Sequence, residues 1–278
     1  MEIKQILLVM TADASGDAAV ETAARLARGH GAKVDGVCLF QEPEPEMAEC
    51  FAEGAEAIGE VLDRRLATVK ALTAPGELAF RKALVDRGLA EGWTVGEIDE
   101  WTEAVIERAR LADLVVVARP EQHAAYRRLT ENLAIRAGTP CLVVPSPVGE
   151  PRDFERVVVA WNGTREAKRA MIDALPFLKR ASAVRVLAVR EDARPSPTAA
   201  QTEALTHLLA RHGVSAEVVC QDGAGKPTGA VLLRQCQAFG ADLLVMGAFG
   251  HSRAAETILG GATRTILADA SLPTLLSH

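Results

Sequence analysis

The chain repeats itself, and this repeat limits the folds open to it more than any other feature. ADLVVVARPE (112–121) matches ADLLVMGAFG (241–250), and each is followed by a proline and an apolar run, TPCLVVPS (139–146) and LPTLLSH (272–278). A second pair opens the two halves: ILLVMTADASGDAAVETAARLA from Ile6 and VVVAWNGTREAKRAMIDALPFL from Val157. Both read as a buried strand, a small polar turn and an amphipathic helix.

Short unbroken apolar runs alternate with segments whose apolar residues recur three and four apart. In the first half this predicts strands 4–10, 33–40, 77–84, 113–118 and 141–144, and helices 16–29, 47–72, 96–111 and 124–137. In the second it predicts strands 156–161, 183–190, 215–221, 242–247 and 273–277, helices 165–180, 197–212 and 227–239, and a loop with a helix near 261–270. Met47, Phe51, Ile58, Leu62, Leu66 and Val69 make one helical stripe. Alternating β and α implies an α/β fold: parallel sheets with helices on both faces. PSPVGEPRD (145–153) reads as a linker, so two domains are expected, 1–148 and 152–278. The first half is longer by about twenty residues, and the excess lies in the acidic QEPEPEMAECFAEGAEAIGE (41–60).

Composition narrows the function classes. Aromatic residues are 4% of the chain, so the core must be aliphatic. The net charge is −6 and no basic run occurs, which argues against nucleic acid as a partner. Five cysteines, an odd number without a CxxC, read as reduced thiols rather than a disulfide scaffold or zinc site. No apolar stretch has the length of a membrane span, and the N-terminus reads as a strand and turn rather than a signal peptide. A soluble cytoplasmic protein is expected. No histidine set has metal-ligand spacing, and no nucleophile, base and orienter stand out. Gly225-Lys226 is not a Walker A loop, because Cys220 and Pro227 stand where glycine and Ser or Thr are needed.

GAFGHSRAAETILGGATR (247–264) leaves a strand on the side where open parallel sheets bind ligands. Glycine lets backbone N–H groups approach an anion closely, and a helix starting near Gly261 adds the positive end of its dipole. The physical reading is a phosphate cradle. His251, Ser252 and Arg253 either meet phosphate or form a solvated polar loop.

The spacing Gly247-x2-Gly250-x9-Gly260 resembles the universal stress protein family, whose motif is G-x2-G-x9-G-[ST]. VVVAWNGTREAKRA is similar to the family's first strand and turn, and GAGKPTGAVLL to the Gly-x-Pro before its third helix. The resemblance covers essentially the whole chain as two family domains in tandem. It implies Rossmann-like, five-stranded parallel sheets of order 3-2-1-4-5, paired through their last strands. It also implies a site for an adenine nucleotide, ATP, with ADP or AMP as alternatives and Mg admitted. Ala160 and Asn162 would meet the nucleoside, and Val189 would offer backbone groups to adenine. Gly247, Gly250, His251, Arg253, Gly260, Gly261, Ala262 and Thr263 would hold the phosphates.

Three departures qualify this. Gly261 stands where the family has Ser or Thr, with Thr263 two residues on. Asn162 replaces an aspartate, losing its charge but keeping an acceptor. The first half has Ala118 and Glu121 in place of Gly247 and Gly250, and keeps only Asp13 and Ser15 in its first turn. It reads as a degenerate site. The expected role is a stress-response regulator that binds nucleotide in its second half and shows a loop surface to a protein partner, at most hydrolysing ATP slowly. The other open reading is an interaction or assembly protein that keeps the fold without the ligand. Two chains pairing as a homodimer fits either reading.

Overall fold

The computed structural model describes residues 2–12, 17–41, 55–119, 124–146, 153–190, 198–248 and 261–278. The first half runs β1 (Gln5–Thr11), α1 (Asp17–His30), β2 (Lys33–Phe40), α2 (Ala55–Ala83), β3 (Ala90–Glu97), α3 (Ile98–Ala109), β4 (Leu114–Ala118), α4 (Ala124–Arg136) and β5 (Cys141–Val144). The second runs β6 (Arg156–Ala160), α5 (Arg165–Asp173), α6 (Leu175–Leu178), β7 (Ala183–Arg190), α7 (Ala199–Arg211), β8 (Ala216–Asp222), α8 (Thr228–Phe239), β9 (Leu243–Gly247), α9 (Gly261–Asp269) and β10 (Thr274–Ser277).

The strands form one ten-stranded sheet of order β3-β2-β1-β4-β5-β10-β9-β6-β7-β8. Each half therefore has the order 3-2-1-4-5 with parallel pairing throughout, and the two expected five-stranded sheets are merged. The junction is the antiparallel pair β5–β10, in register Thr274↔Val143, Leu275↔Leu142 and Leu276↔Cys141. Unbroken Val and Leu runs such as LVVVA and RVVVA suit strands covered on both faces.

Two cores lie on opposite faces of the sheet, and each draws on both halves. Ile6, Leu8, Met10, Val157 and Val159 face α1, α2, α5 and α6. Leu7, Val9, Val158, Leu244 and Leu276 face α3, α4, α8 and α9. On the first face the seam between halves is aromatic: Phe154 meets Phe177 edge-on at 5.5 Å, and His30 meets Phe177 at 6.1 Å. Arg25 lies over the Phe154 ring, and Arg180 donates to the Gly29 carbonyl at 2.7 Å. On the other face Arg119 donates to the carbonyls of Ala268 and Ala270, placing a cation at the C-terminal end of α9.

Three sequence expectations are corrected. The predicted strand 77–84 is the second part of α2, and the third strand is Ala90–Glu97. Phe80, Ala83 and Leu84 lie on one helical face and are buried, whereas a strand reading would have needed alternation. Pro75, which reads as a helix breaker, is accommodated inside α2. β3 hides from a hydropathy reading because it is a half-buried edge strand with two glycines. A Cβ at Gly92 would lie 2.8 Å from the Asp35 carboxylate, and one at Gly96 would run into the Trp101 ring. The predicted helix 47–72 runs on to Ala83, and its first part, 47–54 with Met47 and Phe51, lies outside the described residues. The single helix 165–180 divides at Ala174 into α5 and α6, with Pro176 in the first turn of α6.

Candidate functional site

Strand order reverses between β6 and β9, because the connections from these neighbours run to opposite sides of the sheet. Beyond their carboxyl ends opens a cavity of about 760 Å³, within the range of small-molecule sites. Its apolar walls come from Ala160 on β6, Leu187 and Val189 on β7, Leu205 and Leu208 on α7, and Leu232 on α8. Its polar groups are Asn162, Thr164, Thr198, Gln201 and Thr228. No ionisable side chain belongs to the described lining. Such a wall suits a flat neutral ring that needs a few hydrogen bonds, and it offers no general base or nucleophile of low pKa.

The turn after β6 is built locally. Asn162 Oδ1 accepts from the Thr164 hydroxyl at 2.8 Å and from its N–H at 3.2 Å. Gly163 takes φ +76, which few other residues tolerate. Thr164 then caps α5, its hydroxyl accepting from Ala167 N–H. Asn162 is therefore exposed at the cavity rim with its oxygen already engaged, leaving its amide nitrogen as the group to offer a ligand. On the opposite rim Thr198 and Gln201 form a capping box at the start of α7.

Gly247 has a packing role that sequence reasoning attributed to a phosphate. A Cβ there would lie 2.6 Å from both Ala167 N and Glu166 C, so bare backbone is required by the first turn of α5. Glu166 in that turn is buried and held by Arg165 at 2.5 Å. Burial pushes its carboxyl up, but hydrogen bonds from Arg165, its own backbone and Thr164 prevail, leaving it below the usual glutamate value. Gly261 begins α9 with open space where a Cβ would stand, so a side chain is admissible there.

Of the predicted site residues, Ala160, Asn162, Val189, Gly247 and Ala262 meet in the one cavity. Gly261 adjoins Ala262 at the helix start but does not line the cavity. Thr263 is 3% exposed and also stands off the lining, so its place is in the packing of α9. Gly250, His251, Arg253 and Gly260 lie outside the described residues, as do Asp13, Ser15 and Glu121 of the first half. Thr198, Gln201, Leu205 and Leu208 were not singled out in the sequence. The capping spacing Thr198-x-x-Gln201 was the available signal for the first two. Among the described residues no group of histidines, cysteines and carboxylates is placed to hold a metal.

The sequence model of the universal stress protein family matches residues 153–278, which contain the whole cavity. Residues 153–278 are a universal stress protein domain. The fold extends to the rest of the chain. A universal stress protein from Archaeoglobus fulgidus superposes with a TM-score of 0.67 at 15% identity, covering 98% of this chain and 95% of that one. A putative universal stress protein from Pseudomonas aeruginosa gives 0.61 at 16%, covering 99% and 93%. No curated protein sequence matches the chain. The first half carries the same topology with a different residue at the end of its first strand. Pairing β1 with β4 and β6 with β9 sets Ile6 against Leu114 and Val157 against Leu243, so Thr11 stands where Asn162 stands. Thr11 is 4% exposed, and its hydroxyl has no hydrogen-bond partner among the described residues.

Proposed function

We propose that the second half binds an adenine nucleotide, ATP, in the cavity over β6, β7 and β9, and that the chain acts as a nucleotide-responsive regulator in the cytoplasm. One observation carries the reading: a cavity of about 760 Å³ with an uncharged described lining, at the switch point of a universal stress protein domain, opening beside Gly247 and Ala262. Ala160, Leu187 and Val189 fit the faces of a purine, and Asn162, Thr198 and Gln201 supply hydrogen-bonding groups at its rim. The glycines of the family spacing, Gly247, Gly250 and Gly260, are assigned to the phosphates, and the boundary between a binding and a structural domain falls at 148–152. ADP or AMP would use the same groups. A binding role is favoured over hydrolysis because the described lining holds no base.

The experiment is calorimetric titration of the intact chain with ATP, alongside mass spectrometry of whatever the purified protein releases. One site per chain is expected. Gly250→Asp and Gly260→Val are expected to abolish binding while far-UV circular dichroism stays near wild type. Two equal sites, or unchanged affinity in both variants, would overturn the reading. A specific observation supports a second function, a nucleotide-free interaction protein: the oxygen of Asn162 is engaged by Thr164, and Thr263 is buried. Absence of both released ligand and measurable ATP binding would select it.

A further inference from the structure

Helix α2 is 29 residues long, and its two parts are in different surroundings. Thr73, Phe80 and Ala83 are buried against α1 and β2. From Ala57 to Leu72 no residue is buried. Yet this first part keeps the same apolar face. Ile58, Leu62, Leu66 and Val69, spaced four, four and three apart, continue the row of Thr73 and Phe80. Ile58 is 49% exposed, Leu62 55% and Leu66 68%. An isolated helix of four turns is marginal in water, and an exposed leucine row adds a cost that only a covering surface removes.

The charges say what covers it. Asp63 and Lys70 are both exposed and lie seven residues apart, which sets them at the same edge of the stripe. In an antiparallel pair of identical helices centred between Leu66 and Ala67, Asp63 faces the partner's Lys70 and Lys70 faces the partner's Asp63. In a parallel pair residues at this edge face the partner's opposite edge, where Lys70 would meet a like charge, Arg65 of the second copy. The pattern is therefore self-complementary under a two-fold axis perpendicular to the helices. We infer that the first four turns of α2 dock antiparallel against the same helix of a second copy of this chain, through Leu62 and Leu66 with reciprocal Asp63–Lys70 pairs. A standard interface buries about 800 Å² per partner, more than one helix face of about 24 Å supplies, so the dimer is reversible and concentration-dependent.

Sedimentation velocity of the full chain over a concentration series tests this. Wild type is expected to move from monomer to dimer, and Leu66→Glu to remain monomeric with an unchanged circular dichroism spectrum. Asp63→Lys alone and Lys70→Asp alone are each expected to weaken association by about tenfold, since two attractive pairs become repulsive. Mixing these two variants restores both pairs, and dimer is expected to return as the mixed species only. This rescue is specific to antiparallel pairing. Wild type that stays monomeric at every concentration overturns the inference, including the case where Leu66→Glu lowers the melting temperature because another part of the chain covers the stripe. Dimerisation insensitive to all three substitutions, or no rescue on mixing, overturns it as well.

Discussion

Over the carboxyl ends of β6 and β7 the second half keeps an open cavity, roofed by the 13-residue α7. Over β1 and β2 the first half lays the 29-residue α2. A Cβ on Gly76 of that helix would lie 3.3 Å from Met10 Cε and 3.8 Å from both Cys38 Sγ and the Trp93 ring. Met10 and Cys38 stand in register with Trp161 and Ala188, two residues that line the second-half cavity. The strand order is the same, and so is the pairing register from β1 to β2 and β6 to β7. What separates a container from a filled site is the length of one helix and the bulk of the side chains it presses on. Deeper under that helix, Phe80 and Trp93, whose rings are 4.7 Å apart, pack over Gly36, which stands in register with Val186.

The largest expected effect tests the packing under α2. Phe80 is 1% exposed, and Phe80→Ala should cost about 3–5 kcal/mol, the price of a void with no access to water. Leu205→Ala in the second half widens a cavity that already exists, so its cost should fall near 2 kcal/mol, the lower end of the range for such truncations. Equilibrium urea unfolding of the two variants gives the comparison. Equal losses would mean that the second-half cavity is packed as tightly as the first-half core.

Next comes the glycine that the halves do not share. Gly247 corresponds in register to Ala118, since Leu243 and Leu114 hold equivalent places. Gly247→Ala drives a Cβ into the backbone of Glu166 and Ala167 and should cost about 1–3 kcal/mol, with α5 displaced from β9. The reciprocal Ala118→Gly removes one methyl group and loosens a strand, for about 1 kcal/mol. Thermal melts of the two variants rank them. If Gly247→Ala melts with wild type but loses ATP, the packing role assigned to Gly247 is wrong and the residue serves the ligand.

A third comparison sets Asn162 against Thr11. Asn162→Asp keeps the oxygen that Thr164 uses, so the fold should lose little, and ATP affinity should change by about tenfold or less. Asn162→Leu removes that acceptor and should cost about 1 kcal/mol of stability as well as weakening ATP further. If Asn162→Leu destabilises the chain yet binds ATP as wild type does, the residue is a turn former and the adenine lies elsewhere in the cavity.

The sequence shows the fold where a period is clean and loses it where packing overrides the pattern. Apolar runs such as Ile6–Met10 and Leu243–Met246 can only be covered strands, and the repeat of strand, turn and helix sets their order. The segment 76–84 misleads because Pro75 and Gly76 read as punctuation, while Phe80, Ala83 and Leu84 are packed on α1 and β2 as a helical face. β3 misleads in the opposite sense, since its glycines serve neighbours, Asp35 and Trp101, that sequence cannot place beside them. The cavity was half legible. Its strand-end residues follow from topology, but Leu205, Leu208 and Gln201 come from a helix whose distance over the sheet no motif encodes. The reason for Gly247 was legible only in part, because a close approach by a helix and one by an anion demand the same missing Cβ.

The smallest effect concerns the seam that joins the halves. His30 ends α1 in the first half and packs edge-on against Phe177 in the second. Burial, then the charges of Arg180 and Lys4, hold its imidazole below the ordinary histidine value. The unfolded chain therefore takes up a proton on His30 at a higher pH than the folded chain does. Stability from the neutral ring is complete above the unfolded value of about 6.5, declines as pH falls from there toward the folded value, and then levels off. His30→Phe keeps an aromatic ring against Phe177 and removes the titration. The difference in unfolding free energy between variant and wild type should therefore shift in the variant's favour on acidification below that pH, and stay flat above it. Charged groups elsewhere titrate equally in both proteins and cancel in the difference. A difference that is flat through the whole acidic range would mean that the ring is solvated at the seam and that the two halves meet there more loosely than Phe154, Phe177 and Arg180 indicate.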